Sequence, residues 1–226
     1  AASRIKINYG NQTNCTQNLK LLKCKPMRTS INSLFCFLTV AVFMFGSFGC
    51  KKGFEARYGP FYIMSDTTVY FEGDMGSRID KQFERMMCDY PNLQSITFSD
   101  YCPGSRNDEK LYIAARNLRS YEISTILTNQ SIIESGAVDL FIAGYNRQTT
   151  PGAKIGVHSW SMGSQDANDF PTGHEEHEMY LDFYGEMFED ADLGEEFYWF
   201  TTESASSNNI HYMTDEEIDY FQLETE

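Results

Sequence analysis

Two short segments carry residue types that could together perform nucleophilic catalysis. The first holds Ser135 and Gly136, where an apolar strand-like run gives way to a helical pattern. A serine at that point lies beside free backbone N–H groups and the positive end of the helix dipole. Such N–H groups can stabilise a developing oxyanion without reorganising. The second segment carries His158, which follows the serine by 23 residues.

Imidazole is the usual base that removes the proton of a serine hydroxyl near neutral pH. Alternation along the second segment places His158 on the same strand face as Lys154, Gly156 and Trp160. The pair alone is weak evidence, because a serine before glycine is most often a helix cap and a strand histidine is most often structural. The sequence around the pair must decide.

The elements that would position these residues alternate along the chain. Apolar runs with β-branched residues predict strands, and apolar residues at helical spacing predict helices. Alternating strands and helices favour an α/β fold with a largely parallel sheet. The predicted strands are 61–64, 67–71, 93–98, 123–128 and 154–160; the predicted helices are 78–87, 108–120, 136–143, 172–188, 193–202 and 214–221, the last with a capping box.

The order of these motifs resembles a known family. Residues 134–144 (ESGAVDLFIAG) and 151–158 (PGAKIGVH) resemble the nucleophile helix and the histidine strand of the Clp protease proteolytic subunit, in the Clp/crotonase superfamily. The resemblance covers about residues 67 to 223. It includes a Pro-Gly loop after a strand, a handle-like region and a closing helix, at residues 95–105, 165–169 and 212–217.

This resemblance implies a Clp/crotonase-like spiral of ββα units and a serine hydrolase acting on peptides or esters. Ser135 would be the nucleophile and His158 the general base, and the N–H groups of Gly104 and Gly136 would form the oxyanion hole. The resemblance implies no cofactor, and relatives often assemble into homo-oligomers. The position of the family's aspartate falls in the stretch Asn-Asn-Ile-His, so Asn209 is the expected third member.

Several other interpretations remain open. The missing aspartate favours a catalytically silent protein that binds peptides or partner subunits in the same groove. Crotonase-type acyl-CoA chemistry needs cationic groups that the C-terminal part lacks. A serine–lysine dyad is disfavoured, because Lys154 lies about 13 Å from His158 along the strand. Ser161, in Ser-Trp-Ser-Met-Gly, is a remote alternative nucleophile.

The pair His174 and His177 is spaced by three residues rather than four. This spacing disfavours the zinc site of helical metalloproteases and favours a solvated acidic helix face. No metal is predicted.

Charge is strongly segregated along the chain. The 226 residues carry a net charge of −14, yet residues 1–50 hold six basic side chains and no acidic one. From residue 155 onward there are 19 carboxylates and no Lys or Arg. Such a surface repels phosphate backbones and lacks the cations that nucleotide cofactors recruit. Nucleic acid is therefore not an expected partner.

The N-terminal fifty residues have the pattern of a targeting segment. Residues 29–50 are uncharged and apolar, with Arg28 before them and Lys51 after, which is typical of a secretory signal. We therefore expect residues 1–26 to be a leader or upstream read-through, 27–50 a signal peptide, and 51–226 the folded domain. The run also suits a transmembrane anchor. Cys50 follows small residues, as in a bacterial lipoprotein signal, which predicts lipidation of Cys50. We therefore expect an exported protein in the periplasm or cell envelope, anchored to the membrane by this lipid.

Two cysteines fall within the folded part. In an oxidising compartment Cys88 and Cys102 predict a disulfide, with two buried free thiols as the alternative.

Overall fold

The computed structural model describes residues 53–225, and strands alternate with helices along them. The strands are β1 (Ala56–Tyr58), β2 (Phe61–Ile63), β3 (Thr68–Phe71), β4 (Ser95–Phe98), β5 (Tyr101–Cys102), β6 (Ser124–Leu127), β7 (Ile132–Glu134), β8 (Arg147–Gln148), β9 (Lys154–Val157), β10 (Ser161–Met162), β11 (Gln165–Asp166) and β12 (His211–Tyr212). The helices are α1 (Ile79–Asp89), α2 (Asp108–Ser120), α3 (Gly136–Ile142), α4 (Glu178–Met187), α5 (Ala191–Ser204) and α6 (Asp215–Tyr220).

The strands form two main sheets. The larger has the order β1-β2-β3-β4-β6-β8, antiparallel at β1–β2 and β2–β3 and parallel from β3 onward. The smaller has the order β12-β9-β7-β5, in which only β12 is antiparallel to its neighbour. A hairpin of β10 and β11 stands apart.

Each repeat of the fold places one strand in each sheet. The chain runs from β4 through β5 into α2, and from β6 through β7 into α3, while β8 and β9 occupy the next positions in the two sheets. This is the predicted α/β architecture of ββα units with a largely parallel sheet, and the prediction is confirmed. The C-terminal ends of β5, β7 and β9 therefore lie along one edge of the smaller sheet.

Burial explains why these segments form strands and helices. In β3, β4 and β6 every second residue is fully or nearly fully buried, as expected for strands with one face against helices. Helix α3 is buried along its whole length, which suits its central position between the sheets. The capping box at Thr214 and Glu217 opens α6 as predicted.

Short elements on the smaller sheet differ from the sequence-based prediction. The predicted strand 123–128 ends at Leu127, and a turn at residues 128–131 leads into the separate strand β7. Ser131 closes that turn, because its Oγ accepts from Thr128 N at 2.8 Å and donates to Phe98 O. The predicted helix 172–188 is shorter, since α4 begins at Glu178 after a single 3-10 turn.

The packing of α4 against α5 depends on one glycine. A Cβ on Gly194 of α5 would lie 2.5 Å from the backbone oxygen of Tyr184 in α4, and a backbone atom of a packed helix cannot move aside cheaply. We expect Gly194→Ala to lower the free energy of unfolding by about 2 kcal/mol or more. Gly185→Ala in α4 is the control: its Cβ would meet only Ala191 Cβ at 4.0 Å, so it should be neutral or stabilising. Urea denaturation of the two variants measures the difference, and equal stability would contradict this packing.

No helix within residues 53–225 is long and apolar enough to span a bilayer. The predicted leader, signal and lipidation at Cys50 lie outside the described residues.

Candidate active site

Ser135 sits at the junction between β7 and α3 in an unusual backbone conformation. Its φ of 54° and ψ of −129° lie in a region that side-chain-bearing residues rarely adopt. The backbone is fixed on both sides, because Ser135 N donates to Gly156 O at 3.0 Å and Ser135 O accepts from Val138 N at 2.8 Å. Strain of this kind persists only where the surroundings impose it, and it concentrates at functional sites.

The hydroxyl of Ser135 is free to react. It does not cap α3, and it makes no hydrogen bond to any residue in the described range 53–225. The common role of such a serine, a simple N-cap, therefore does not apply here. The side chain is half-buried and faces a cavity of about 40 Å³.

His158 lines the same cavity from the neighbouring strand. Strands β7 and β9 are parallel, with Glu134 paired to Gly156, so Ser135 and His158 both lie just beyond the ends of adjacent strands. Neighbouring strands are about 4.8 Å apart, which brings the two side chains to one edge of the sheet. The predicted pair of Ser135 and His158 thus meets at one pocket.

The hydrogen bond of His158 determines its tautomer. Its Nδ1 lies 2.8 Å from Ser159 O, and a carbonyl oxygen only accepts, so Nδ1 carries the proton. The lone pair of the neutral ring is then on Nε2, which has no hydrogen-bond partner within residues 53–225. Nε2 is therefore able to accept a proton.

Asn209 does not orient His158, contrary to the sequence-based expectation. It is exposed in a turn, where its Nδ2 donates to Ser206 Oγ at 2.8 Å and its N–H donates to Ser206 O at 2.9 Å. These bonds turn the amide back on its own loop. A main-chain carbonyl, Ser159 O, takes the position on Nδ1 that the third residue was expected to occupy.

The backbone N–H groups near Ser135 come from two loops. Gly136 N is at the first turn of α3 and has no acceptor within the described chain. The second loop is the Pro-Gly segment, where Met75 N donates to Gly104 O at 3.5 Å and Arg106 N donates to Met75 O at 3.0 Å. Because N–H groups alternate in an extended segment, the N–H of Ser105 points away from Met75.

Gly104 has a different role from the predicted one. A Cβ on Gly104 would lie 2.9 Å from Ser135 Oγ, so the missing side chain makes room for the hydroxyl. A Cβ on Gly136 would lie 2.9 Å from Ser105 N, which places that N–H beside Gly136. Within residues 53–225 the N–H groups of Gly136 and Ser105 have no acceptor, and the two lie next to each other. Gly136 is one of the two donors expected from the sequence, whereas Ser105 was not among them.

Two carboxylates lie in the wall of the pocket, and the sequence analysis missed both. Asp139 is 7% exposed; its oxygens accept from Tyr184 OH at 2.7 Å and from Tyr112 OH at 3.3 Å. Asp108 accepts from Ser105 Oγ and from Tyr180 OH. The available signal was Asp139 itself, an acidic residue in an otherwise apolar helix, four positions after Ser135.

Burial is the main cause that raises the pKa of Asp139; the hydrogen bonds from Tyr184 and Tyr112 oppose it and the nearby Asp108 charge adds to it, and together they bring the pKa to about 7. A carboxyl whose pKa is higher in the folded than in the unfolded state stabilises the fold at low pH. That stabilisation is present below about pH 4 and is lost as the pH rises to about 7.

We therefore expect the wild type to gain about 2 to 3 kcal/mol of stability between pH 7.5 and pH 5, relative to Asp139→Asn. The Asn variant lacks the titrating group, so its unfolding free energy should lack this component. Urea denaturation at the two pH values measures it. Parallel pH dependences would show that Asp139 titrates normally.

The remaining sequence-based alternatives lie away from the pocket. Ser161 is exposed in the β10–β11 hairpin rather than at a helix start. Lys154 is exposed at the beginning of β9, with its Nζ 5.6 Å from the ring centre of Tyr212. The sequence predicted a solvated face for His177, and this prediction is wrong. His177 is fully buried, and its Nδ1 is hydrogen-bonded to Tyr198 OH. It is therefore a core residue.

The predicted disulfide between Cys88 and Cys102 is wrong. Cys102 is a free, buried thiol that donates to Ser99 O at 3.3 Å and Phe71 O at 3.4 Å. Cys88 lies near the end of α1, at the edge of the sheet where β4 begins, whereas Cys102 follows the opposite end of β4. Burial raises the pKa of Cys102 to about 12, so it remains protonated.

No protein-family model and no curated protein matches the sequence. A similar solved structure is the 1510-N membrane-bound stomatin-specific protease, in a serine-to-alanine mutant. It is 15% identical, with a TM-score of 0.45, and the match covers 70% of this chain and 75% of that one. The functional assignment below rests on the geometry of the pocket.

Proposed function

We propose that this chain is a serine hydrolase that cleaves peptide or ester bonds with Ser135 and His158. The observation that carries the proposal is the strained, unbonded Ser135 beside a histidine whose free Nε2 can accept a proton. A hydroxyl needs such a base to become nucleophilic. The resemblance of both motifs to the Clp proteolytic subunit supports the same roles.

The reaction divides into two halves. Ser135 Oγ attacks the carbonyl carbon while its proton passes to His158 Nε2, giving a tetrahedral oxyanion. The carbonyl re-forms, the bond to the leaving amine or alcohol breaks, and that group takes the proton from Nε2. A water molecule then attacks the acyl carbon, again losing its proton to Nε2. Ser135 recovers its proton as the acid leaves.

The oxyanion would be held by backbone donors. Neither the N–H of Gly136 nor that of Ser105 has an acceptor within residues 53–225, and the two are adjacent, so they can bind the oxyanion without first breaking bonds to that part of the chain. Ser159 O stabilises the imidazolium less than a carboxylate would, because a carbonyl carries only a partial charge. We expect modest turnover for this reason.

The proposed cellular location of the enzyme is based on its N-terminal segment. The apolar run 29–50 supports export to the periplasm or cell envelope, with Cys50 as the site for a lipid anchor. The acidic C-terminal part disfavours nucleic acid as a partner. The resemblance to the Clp family also supports assembly of this chain into a homo-oligomer.

A fluorophosphonate probe tests the proposed nucleophile. The probe should label Ser135 in the purified protein, the label should vanish in Ser135→Ala, and peptide mapping by mass spectrometry should locate it. A label on Ser161 would move the site. A folded protein without any label would favour the silent peptide-binding protein instead, an outcome consistent with the absence of a carboxylate on His158.

A further inference from the structure

The pocket beside Ser135 extends inward along α3. Ser135 and His158 stand at its half-buried end, whereas Asp139 and Tyr184 form a buried wall. Asp139 lies four residues after Ser135 on the helix, a rise of about 6 Å. A four-carbon amine stem spans about that distance. A substrate side chain entering from the reacting carbonyl would therefore end beside Asp139.

The carboxylates of this pocket have no cationic partner. No lysine or arginine is among the described residues that line the pocket, and within residues 53–225 neither Asp108 nor Asp139 forms a salt bridge. Asp139 is bonded only to tyrosine hydroxyls, which satisfy hydrogen bonds but supply no charge. Burying a carboxylate without a counter-ion is costly, and the raised pKa of Asp139 reflects that cost.

The other walls suit the apolar stem of such a side chain. Trp160, Tyr180 and Tyr198 all line the pocket, and their rings stack on one another, with centroids 5.3 Å apart for Trp160 and Tyr180 and 5.8 Å apart for Tyr180 and Tyr198. Aromatic rings form a large apolar surface that keeps water from a bound side chain. They also pack against a methylene chain.

We propose that this pocket recognises a linear ammonium side chain, as in lysine, on the acyl side of the bond that Ser135 attacks. The inference rests on the proposed serine hydrolase function and adds its substrate class. The ammonium would be placed beside Asp139, with Asp108 adding charge, while the stem packs along the aromatic side chains that line the pocket.

Two matched phosphonate probes test this specificity. One diphenyl phosphonate carries an aminobutyl side chain, as in lysine, and the other carries a butyl side chain of the same length without the charge. We expect the aminobutyl probe to label Ser135 about tenfold to hundredfold faster, as a charge-assisted hydrogen bond to a buried carboxylate implies. Equal rates, or faster labelling by the butyl probe, would overturn the proposal.

Variants locate the source of the preference. Asp139→Asn should reduce the ratio of labelling rates to near one, whereas Asp182→Asn, an exposed change of the same charge on α4, should leave it unchanged. An undiminished ratio in Asp139→Asn would overturn the role of Asp139. The rate ratio in the wild type decides the proposal even if Asp139→Asn does not fold.

Binding of n-pentylammonium, with 1-pentanol as the neutral control, separates this proposal from the proposed hydrolase activity. Nuclear magnetic resonance titration should show binding of the amine and not of the alcohol. If no probe labels Ser135 but the amine binds and Asp139→Asn abolishes that binding, the hydrolase proposal fails and the ammonium site stands. If labelling succeeds without a charge preference, the hydrolase stands and the ammonium site is wrong. Failure of both overturns both.

Discussion

Replacing Ser135 with glycine is expected to abolish hydrolysis and at the same time to stabilise the fold. Removing the nucleophile should lower the rate of ester hydrolysis by about 10³-fold or more. Glycine adopts a φ of 54° without the steric cost that serine bears, so the free energy of unfolding should rise by about 1 to 2 kcal/mol. Initial rates on a chromogenic ester and urea denaturation measure the two effects.

Two further variants separate strain from chemistry. Ser135→Ala should lose the same activity but keep the strain, so its stability should stay near that of the wild type. Glu122→Gly also relieves a positive φ, of 57°, at an exposed position, and it should keep full activity. An active Ser135→Gly variant would refute the nucleophile. A Ser135→Gly variant no more stable than Ser135→Ala would refute the strain.

Replacing His158 with glutamine is expected to lower ester hydrolysis by about 10²- to 10⁴-fold, the usual contribution of a general base. Glutamine cannot accept a proton near neutral pH, so Ser135 would have to react as a neutral hydroxyl. The stability should change little, because within residues 53–225 the side chain of His158 makes a single hydrogen bond, a local one to Ser159 O. Initial rates at saturating and limiting ester concentrations measure the loss.

Two controls show whether this loss is specific to His158. His211→Gln alters a half-buried histidine on β12, which pairs with β9, and breaks its bond to Glu217, so it should cost at most a few-fold in rate. Asn209→Ala should leave the rate within about twofold, since Asn209 bonds to Ser206 instead of His158. An Asn209→Ala loss as large as that of His158→Gln would restore Asn209 as the third catalytic residue.

The sequence was sufficient to predict the fold class and to expect Ser135 and His158 in one pocket, because both expectations depend on local patterns. Alternating apolar runs and helical spacing indicated successive strands and helices, and the segments around Ser135 and His158 resembled a family in which the two meet. Their proximity follows from parallel pairing of β7 and β9, which short sequential ββα units impose.

The remaining parts of the site depend on contacts that sequence spacing does not reveal. The predicted role of Asn209 failed because its turn bonds the amide internally, and His158 finds a carbonyl one residue away. The donor role of Ser105 depends on which way a short extended segment faces, set by its pairing with Met75. Tertiary packing determines these hydrogen-bond partners and backbone orientations.

The burial of polar residues in the interior also could not be predicted from the sequence: the expected solvated face at His177 is wrong, and nothing predicted a buried Asp139. Asp139 is acceptable inside α3 only because two tyrosines from α2 and α4 reach it. His177 similarly requires Tyr198 of α5 as a partner. In a chain with many acidic residues, the sequence favours an exposed position for both side chains. They can be buried because tyrosines on the neighbouring helices supply their hydrogen bonds.

Trapping of an acyl-enzyme tests the central claim, an activated Ser135, most directly. Rapid mixing of the protein with p-nitrophenyl acetate should release p-nitrophenolate in a burst close to one equivalent, followed by slow turnover. Acid quenching and peptide mapping should then place the acetyl group on Ser135, with no burst in Ser135→Ala. No burst from folded protein, or an acetyl group on another residue, would contradict the assignment of Ser135 as the nucleophile.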